Sequence, residues 1–260
     1  MLRPRIIPCL LVKDKGLVKT VHFKNPKYVG DPINAVRIFN EKEVDELMVL
    51  DIDATAENRG PDYKMIEYLA AECRMPLCYG GGVKTVEQAQ RIFGLGVEKV
   101  AISSAAVENP ELVTRLAEQV GSQSIVVVLD VKKRLKGGKY EVCTHNGQKN
   151  TEKCPAAFAQ QLERLGVGEI IVNSIDNDGL MKGYDLALVE KIRESISVPL
   201  TILGGAGSLH DIGQLIYKYG AIGAAAGSLF VFKGVYRAVL INYPNREEKD
   251  ALIKGNYIVF

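Results

Sequence analysis

Arg5-Ile-Ile-Pro-Cys-Leu-Leu-Val-Lys13 recurs further along the chain as Ser124-Ile-Val-Val-Val-Leu-Asp-Val-Lys132. Superposed, Leu10 meets Leu129, Val12 meets Val131, Lys13 meets Lys132, and Leu11 falls on Asp130. Each copy is a short, nearly continuous apolar run, the pattern of a strand buried on both faces. The duplication extends outward. Glu46 and Glu169 stand 123 residues apart, as do Asp53 and Asp176, Pro76 and Pro199, and Gly82 and Gly205, while Ser104 and Ser228 are 124 apart.

Further strands are expected at 46–52, 76–80, 98–102, 169–174, 199–203 and 221–226, beside those at 5–11 and 124–130. Amphipathic stretches at 33–43, 86–94, 110–120, 155–166 and 186–197 alternate with them. Four strand–helix units written twice make eight. The expected fold is therefore α/β, a closed (βα)8 TIM barrel with internal half-barrel duplication. It forms one domain over 1–260, with half-barrels at about 1–122 and 123–245. An open doubly wound sheet gives no reason for so long a repeat. The turn-rich segment 133–153, with Lys136, Gly137, Gly138 and Asn146-Gly147, reads as an excursion after the fifth barrel strand, in the form of a hairpin.

The 260 residues are 47% hydrophobic and 25% charged, and the net charge of +2 gives no bulk attraction to nucleic acid or an anionic membrane. No apolar run approaches the roughly 20 residues needed to span a bilayer, and the N-terminus lacks a signal-peptide core. Five cysteines without framework spacing fit a reducing compartment, so a cytoplasmic location is expected.

In such barrels the chemistry lies on the loops at the carboxyl ends of the strands. Gly80-Gly81-Gly82 and Ser103-Ser104 follow two strands of the first half. Gly204-Gly205-Ala206-Gly207 and Gly227-Ser228 are their mates in the second. Glycine lets the backbone approach an anion, the following helix offers free N–H groups, and serine adds a hydroxyl donor. Tight turns at barrel corners would also use glycine. Two copies related by the repeat favour two anion sites across one mouth, and so an elongated ligand phosphorylated at both ends.

With these features in place, the sequence resembles the cyclase subunit of imidazole glycerol phosphate synthase. The resemblance runs from Arg5-Ile-Ile-Pro-Cys through Gly30-Asp31-Pro32, Leu50-Asp51-Ile52 and Gly80-Gly81-Gly82. It continues through Asn109-Pro110-Glu111-Leu112, Thr144-His145, Asp178-Gly179 and Gly204-Gly205-Ala206-Gly207. It implies a barrel with two phosphate sites, no cofactor or metal, and a glutaminase subunit docked on the amino-terminal face as a heterodimer. Ammonia would pass through the core. The phosphate and substrate set would be Lys19, Gly81, Gly82, Ser103, Ser104, Asp178, Gly179, Gly204, Gly205, Gly227 and Ser228. The family's ring of four charges, its ammonia gate, corresponds to Arg5, Glu46, Lys99 and Glu169. Glu98 and Gln123 fall where the family meets its partner.

The family's two catalytic aspartates stand at the ends of the first and fifth strands. Asp130 matches the second, but Leu11 occupies the place of the first, and Asp14 in the following loop should point elsewhere. Losing one partner of an acid–base pair costs about 10²–10⁴-fold in rate, and the isobutyl group should raise the pKa of Asp130 by desolvation. Asp53, His22 and Leu180-Met181 also depart from the family at this face. The pattern is similar to cyclase-like proteins of surface-polysaccharide pathways, where a third, ATP-using amidotransferase amidates a sugar. Leu17-Val-Lys-Thr20 and the stretch from Lys27 to Asn40 look most like that branch.

The first expectation is thus an ammonia-delivering barrel diverged toward sugar amidation. The alternative is an authentic cyclase of histidine biosynthesis using Asp130 with Asp53 or His22. A third reading is a non-catalytic scaffold that activates the glutaminase. Cys143, His145 and Cys154 lack paired zinc-ligand spacing and read as an ordinary histidine and thiols. Cys9 reads as an inward-facing core residue with Ile7 and Leu11, and the charged tail 245–249 as solvated.

Overall fold

A computed structural model describes residues 3–134 and 137–255 of the chain. Lys136 lies outside the described residues. The first strand, β1 (Arg5–Lys13), is followed by a hairpin, β2 (Gly16–Val21) and β3 (Lys24–Gly30). Four strands complete the first part of the barrel: β4 (Leu47–Asp51), β5 (Leu77–Gly80), β6 (Lys99–Ile102) and β7 (Ile125–Lys133). A second excursion, β8 (Tyr140–Thr144) and β9 (Lys149–Asn150), precedes β10 (Glu169–Ser174), β11 (Leu200–Leu203) and β12 (Gly223–Ala226).

Parallel pairing runs β1–β4–β5–β6–β7–β10–β11–β12, and β12 returns to β1 with Arg5 opposite Gly223 and Ile7 opposite Ala225. The eight strands therefore close into a (βα)8 barrel. Helices α1 (Pro32–Glu41), α2 (Tyr63–Glu72), α3 (Val86–Gly94), a short α4 (Ser104–Glu108) and α5 (Glu111–Val120) alternate with the earlier strands. After them come α6 (Pro155–Arg164), α7 (Leu186–Arg193), α8 (Leu209–Tyr219), the four-residue α9 (Ser228–Val231) and α10 (Arg246–Ile253).

The pleat sorts the strand residues into two cores. Ile6, Leu10, Leu47, Val49, Leu77, Val127 and Leu129 face the helices. Ile7, Cys9, Met48, Cys78, Ala101, Val126, Val128, Ile171, Leu203 and Ala225 fill the barrel, with Leu11 and Leu50 above them. This alternation follows from the period of two along a strand. The expected inward placement of Ile7, Cys9 and Leu11 is found.

Both β1 and β7 outrun the barrel and pair antiparallel with an excursion strand, β1 with β2 and β7 with β8. The hairpin after β7 was expected, whereas no strand was expected at residues 16–30, which form β2 and β3. Asp53 and Asp176 do the same work in the two copies: Asp53 Oδ2 accepts from Asp14 N at 3.1 Å, and Asp176 Oδ2 from Lys133 N at 2.7 Å.

The charged tail is exposed at 245–248, as expected, but it also opens a helix that was not expected. Residues 245–249 begin α10, with Asn245 and Glu248 forming a capping box, and Leu252 is buried. Lys249 Nζ bonds Asp45 Oδ1 at 2.9 Å. Just before the helix, Tyr243 donates its hydroxyl to Ile6 O at 2.8 Å. The end of the chain thus ties down its first strand. No helix among the described residues is long and apolar enough to cross a membrane.

Candidate functional site

At the amino end of the barrel, Arg5, Glu46, Lys99 and Glu169 project from the starts of β1, β4, β6 and β10 or the residue before, and close into one ring. Arg5 Nη2 donates to Glu169 Oε1 at 2.7 Å, and Arg5 Nη1 to Glu46 Oε2 at 2.5 Å. Lys99 Nζ lies 2.9 Å from both glutamates. Thr201, missed in the sequence, adds its hydroxyl to Glu169 Oε1. Both glutamates are 4% exposed. Burial alone would push the Glu169 carboxyl up, but the hydrogen bond and charge of Arg5, then the charge of Lys99, hold it down at about 2. Glu98 and Gln123 are exposed beside this end, Glu98 accepting from Leu77 N at 2.8 Å.

Between ring and mouth the barrel interior is packed with aliphatic and sulfur-bearing side chains, including Cys9 and Met48, whose sulfurs are 3.8 Å apart. At the other end it meets Asp130 on β7 and Asn173 on β10, paired in register. Asn173 Nδ2 donates to Asp130 Oδ1 at 3.0 Å, and the Ser103 hydroxyl lies 3.5 Å from Oδ2. Burial pushes the Asp130 carboxyl up to about 7 against these two donors, with the nearby Asp178 adding to the rise. A carboxyl poised there suits proton transfer at neutral pH. Across the bore stands Leu11, bordering the same space.

The mouth holds two cavities, which share Leu11, Thr20, Phe23 and Asn173. The larger, about 410 Å³, is lined by Gly81, Gly82, Ser103, Ser104 and Asp130. The smaller, about 40 Å³, is lined by Lys19, Asp178, Gly179, Gly204, Gly205, Gly227 and Ser228. The expected phosphate and substrate residues are thus divided between two cavities that adjoin at Leu11, Thr20, Phe23 and Asn173.

Gly82 and its mate Gly205 have φ of +74° and +108°, and a Cβ would come within 2.7 Å of Arg59 O and 2.1 Å of Gly183 O respectively. Only glycine fits both the dihedral and the approach. The helices after these turns are already capped, α3 by Thr85 with Gln88 and α8 by Ser208 with Asp211. Side-chain caps are absent at the starts of α4 and α9, so the N–H groups left for an anion lie beside Ser104 and Ser228.

Lys19 is buried. It sits on β2, 6% exposed, and donates to Cys9 O at 2.7 Å; burial lowers its pKa. Asp178 accepts from Thr20 Oγ1 at 2.8 Å and Phe23 N at 3.0 Å, fastening the β2–β3 hairpin over the smaller cavity. Neither substitute for the missing aspartate reaches Asp130. Asp53 pairs with Lys13 Nζ at 3.0 Å, and His22 is exposed with Nδ1 3.2 Å from Ile175 O. Asp14 is exposed, as expected. Cys143, His145 and Cys154 do not converge: Cys143 faces Asn150, His145 bonds Thr144 and Cys154 is exposed.

Sequence reasoning missed Asn173, Thr20 and Phe23. Asn173 was visible as the lone amide in the apolar run Glu169-Ile-Ile-Val-Asn-Ser174, at the repeat position of Leu50.

Fold and site define an α/β barrel with a charged ring at one end and a two-cavity mouth at the other. The pattern of the family described as "Histidine biosynthesis protein" matches residues 5–237, and the chain belongs to that family. It is 62% identical to "Putative imidazole glycerol phosphate synthase subunit hisF3" of Vibrio vulnificus (strain YJ016), over 98% of each chain. It is 55% identical to "Putative imidazole glycerol phosphate synthase subunit hisF2" of Pseudomonas aeruginosa, over 96% of this chain and 99% of that one. The imidazole glycerol phosphate synthase subunit HisF of Petrotoga mobilis is 40% identical over 92% and 94%.

Proposed function

We propose that the chain is the cyclase-type subunit of an imidazole glycerol phosphate synthase-like complex, taking ammonia from a glutaminase on its amino-terminal face. The observation that carries this reading is the order of chemistry along the barrel axis. A closed ring of Arg5, Glu46, Lys99 and Glu169 stands at one end, hydrocarbon and sulfur line the middle, and Asp130 stands at the exit between two glycine cradles. Such a lining cannot solvate an ion, so nitrogen would travel as neutral NH₃. Exposed Glu98 and Gln123 belong to the proposed docking face. A ligand phosphorylated at both ends would span the cavities, held by Gly81, Gly82 and Ser104 on one side and Lys19, Gly205 and Ser228 on the other.

The order of the expectations changes here. The names of the relatives favour the cyclase of histidine biosynthesis, which becomes the first reading, over sugar amidation with a third, ATP-using protein. Leu11 is the observation that favours the second: with hydrocarbon opposite Asp130, one half of the acid–base pair is missing. Turnover of the phosphoribulosyl substrate with ammonium salt separates the two. A rate within tenfold of an ordinary cyclase supports histidine biosynthesis, and loss of about 10²–10⁴-fold supports altered chemistry. Absence of any phosphate binding at the cradles would support a scaffold that only activates the glutaminase.

A further inference from the structure

Gly223 stands in register with Thr201 on one side and with Arg5 on the other, so β12 passes between them at the level of the charged ring. Ile7, Leu203 and Ala225, two residues further along the three strands, face the barrel interior. The period of two therefore turns Arg5, Thr201 and Gly223 inward as well. A side chain on residue 223 would come between the other two. A Cβ there would fall 1.8 Å from Thr201 Oγ1, so the hydroxyl occupies the room that glycine leaves.

From that place Thr201, fully buried, donates to Glu169 Oε1 at 2.5 Å. Its oxygen lies 3.4 Å from Arg5 Nη2, the nitrogen that donates to the same carboxylate oxygen at 2.7 Å. Glu169 is thus held by Arg5 through both nitrogens, by Lys99 and by Thr201. Glu46, equally buried, has one nitrogen of Arg5 and the ammonium of Lys99. Around the ring, Arg5 with Glu169 alone is paired through two nitrogens, and such a fork resists rotation that a single contact allows.

We infer that Thr201, seated in the gap at Gly223, is a positioning residue that makes Arg5 and Glu169 the fixed side of the ring and leaves Glu46 and Lys99 as the side that moves. Swinging out Glu46 or Lys99 breaks contacts made through one nitrogen each, whereas moving Arg5 or Glu169 breaks the fork, and moving Glu169 also breaks the Thr201 bond. A small neutral molecule would cross on the side of Glu46. This rests on the reading that ammonia crosses the ring.

The isolated chain carries the test, with neither a glutaminase nor an acceptor. In protein labelled with ¹³C-glutamate, the carboxyl resonances of Glu46 and Glu169, assigned by Glu46→Gln and Glu169→Gln, are followed by pH titration and by relaxation dispersion. Thr201→Val keeps the side-chain shape and removes the donor. The Glu169 midpoint should then rise from about 2 by about one pH unit, and Thr201→Ser should restore it. In wild type, slow exchange should be confined to Glu46; in Thr201→Val it should reach Glu169. Equal exchange at both carboxylates of wild type, exchange at neither, or a Glu169 midpoint indifferent to Thr201→Val would overturn the fixed side and leave the proposed complex to be judged by turnover. If Glu169→Gln does not fold, urea unfolding reads the same titration. Wild type should lose more stability than Thr201→Val as pH falls from 4.5 to 2, because its lower folded-state pKa gives it more to lose; equal losses would overturn the inference.

Discussion

Replacing Arg5 by methionine removes the charge that ties the two ring glutamates together while keeping most of the aliphatic volume. Arg5 bonds Glu46 once and Glu169 through both nitrogens, and both carboxylates are nearly inaccessible. Without it, Lys99 alone must balance two buried negative charges. Breaking a buried ion pair from one side costs about 3–5 kcal/mol. The Glu169 carboxyl gives a second route to the magnitude. Its fall from an ordinary 4.5 to about 2 corresponds to about 3 kcal/mol of stability. A carboxyl with a depressed folded-state pKa contributes that stability above 4.5 and loses it as pH falls toward 2. Urea unfolding of wild type and Arg5→Met should therefore differ by about 3–5 kcal/mol at pH 7, and the gap should shrink as the pH is lowered from 4.5 to 2. A difference under about 1 kcal/mol at pH 7, or one that does not change through that acid window, would refute the view of the ring as a buried, mutually dependent unit.

Asp130→Asn should make the protein more stable at pH 8 by about 2 kcal/mol after allowance for partial solvent access, and no more stable at pH 4. The wild-type carboxyl, raised to about 7, weakens the fold as pH climbs from its ordinary value through 7; thermal melts at the two pH values check this. Gly205→Ala should cost about 1–3 kcal/mol and abolish phosphate binding at the smaller cavity while leaving the larger intact, as read by calorimetry with inorganic phosphate. Asp178→Asn weakens the acceptor for Thr20 and Phe23, so limited proteolysis should cut at residues 22–27 faster than in wild type, and unchanged cutting would show that the hairpin is held otherwise. Leu11→Asp should raise cyclase turnover by about 10²-fold or more if the pocket is otherwise that of an ordinary cyclase.

The strands and the closed barrel were legible because a buried parallel strand writes itself as an apolar run, and the repeat from Glu46 to Glu169 set the number of units. The ring was legible only through the family resemblance, since charged residues at strand beginnings are common and usually solvated. The hairpin at 16–30 was not, because β3, Lys24-Asn-Pro-Lys-Tyr-Val-Gly30, is polar, exposed and carries a proline, as edge strands do. The fate of Lys19 followed from that miss. On a loop it would be solvated, but on β2 it points inward and is buried. The tail is solvated at 245–248, as read, but the helix it opens was not legible, because the single buried anchor, Leu252, lies beyond the charges.

The ring also has an order of assembly. In synthesis Glu169 follows Arg5 by 164 residues, and β1 gains its second barrel neighbour, β12, only after residue 223 is made. Until then the Arg5 guanidinium has Glu46 alone as its counter-charge, on a strand with one bare edge, which is the exposed state that invites wrong pairing. Tyr243, made later still, fastens β1 at Ile6, and Lys249 holds the Asp45 carboxylate that accepts from Ile6 N.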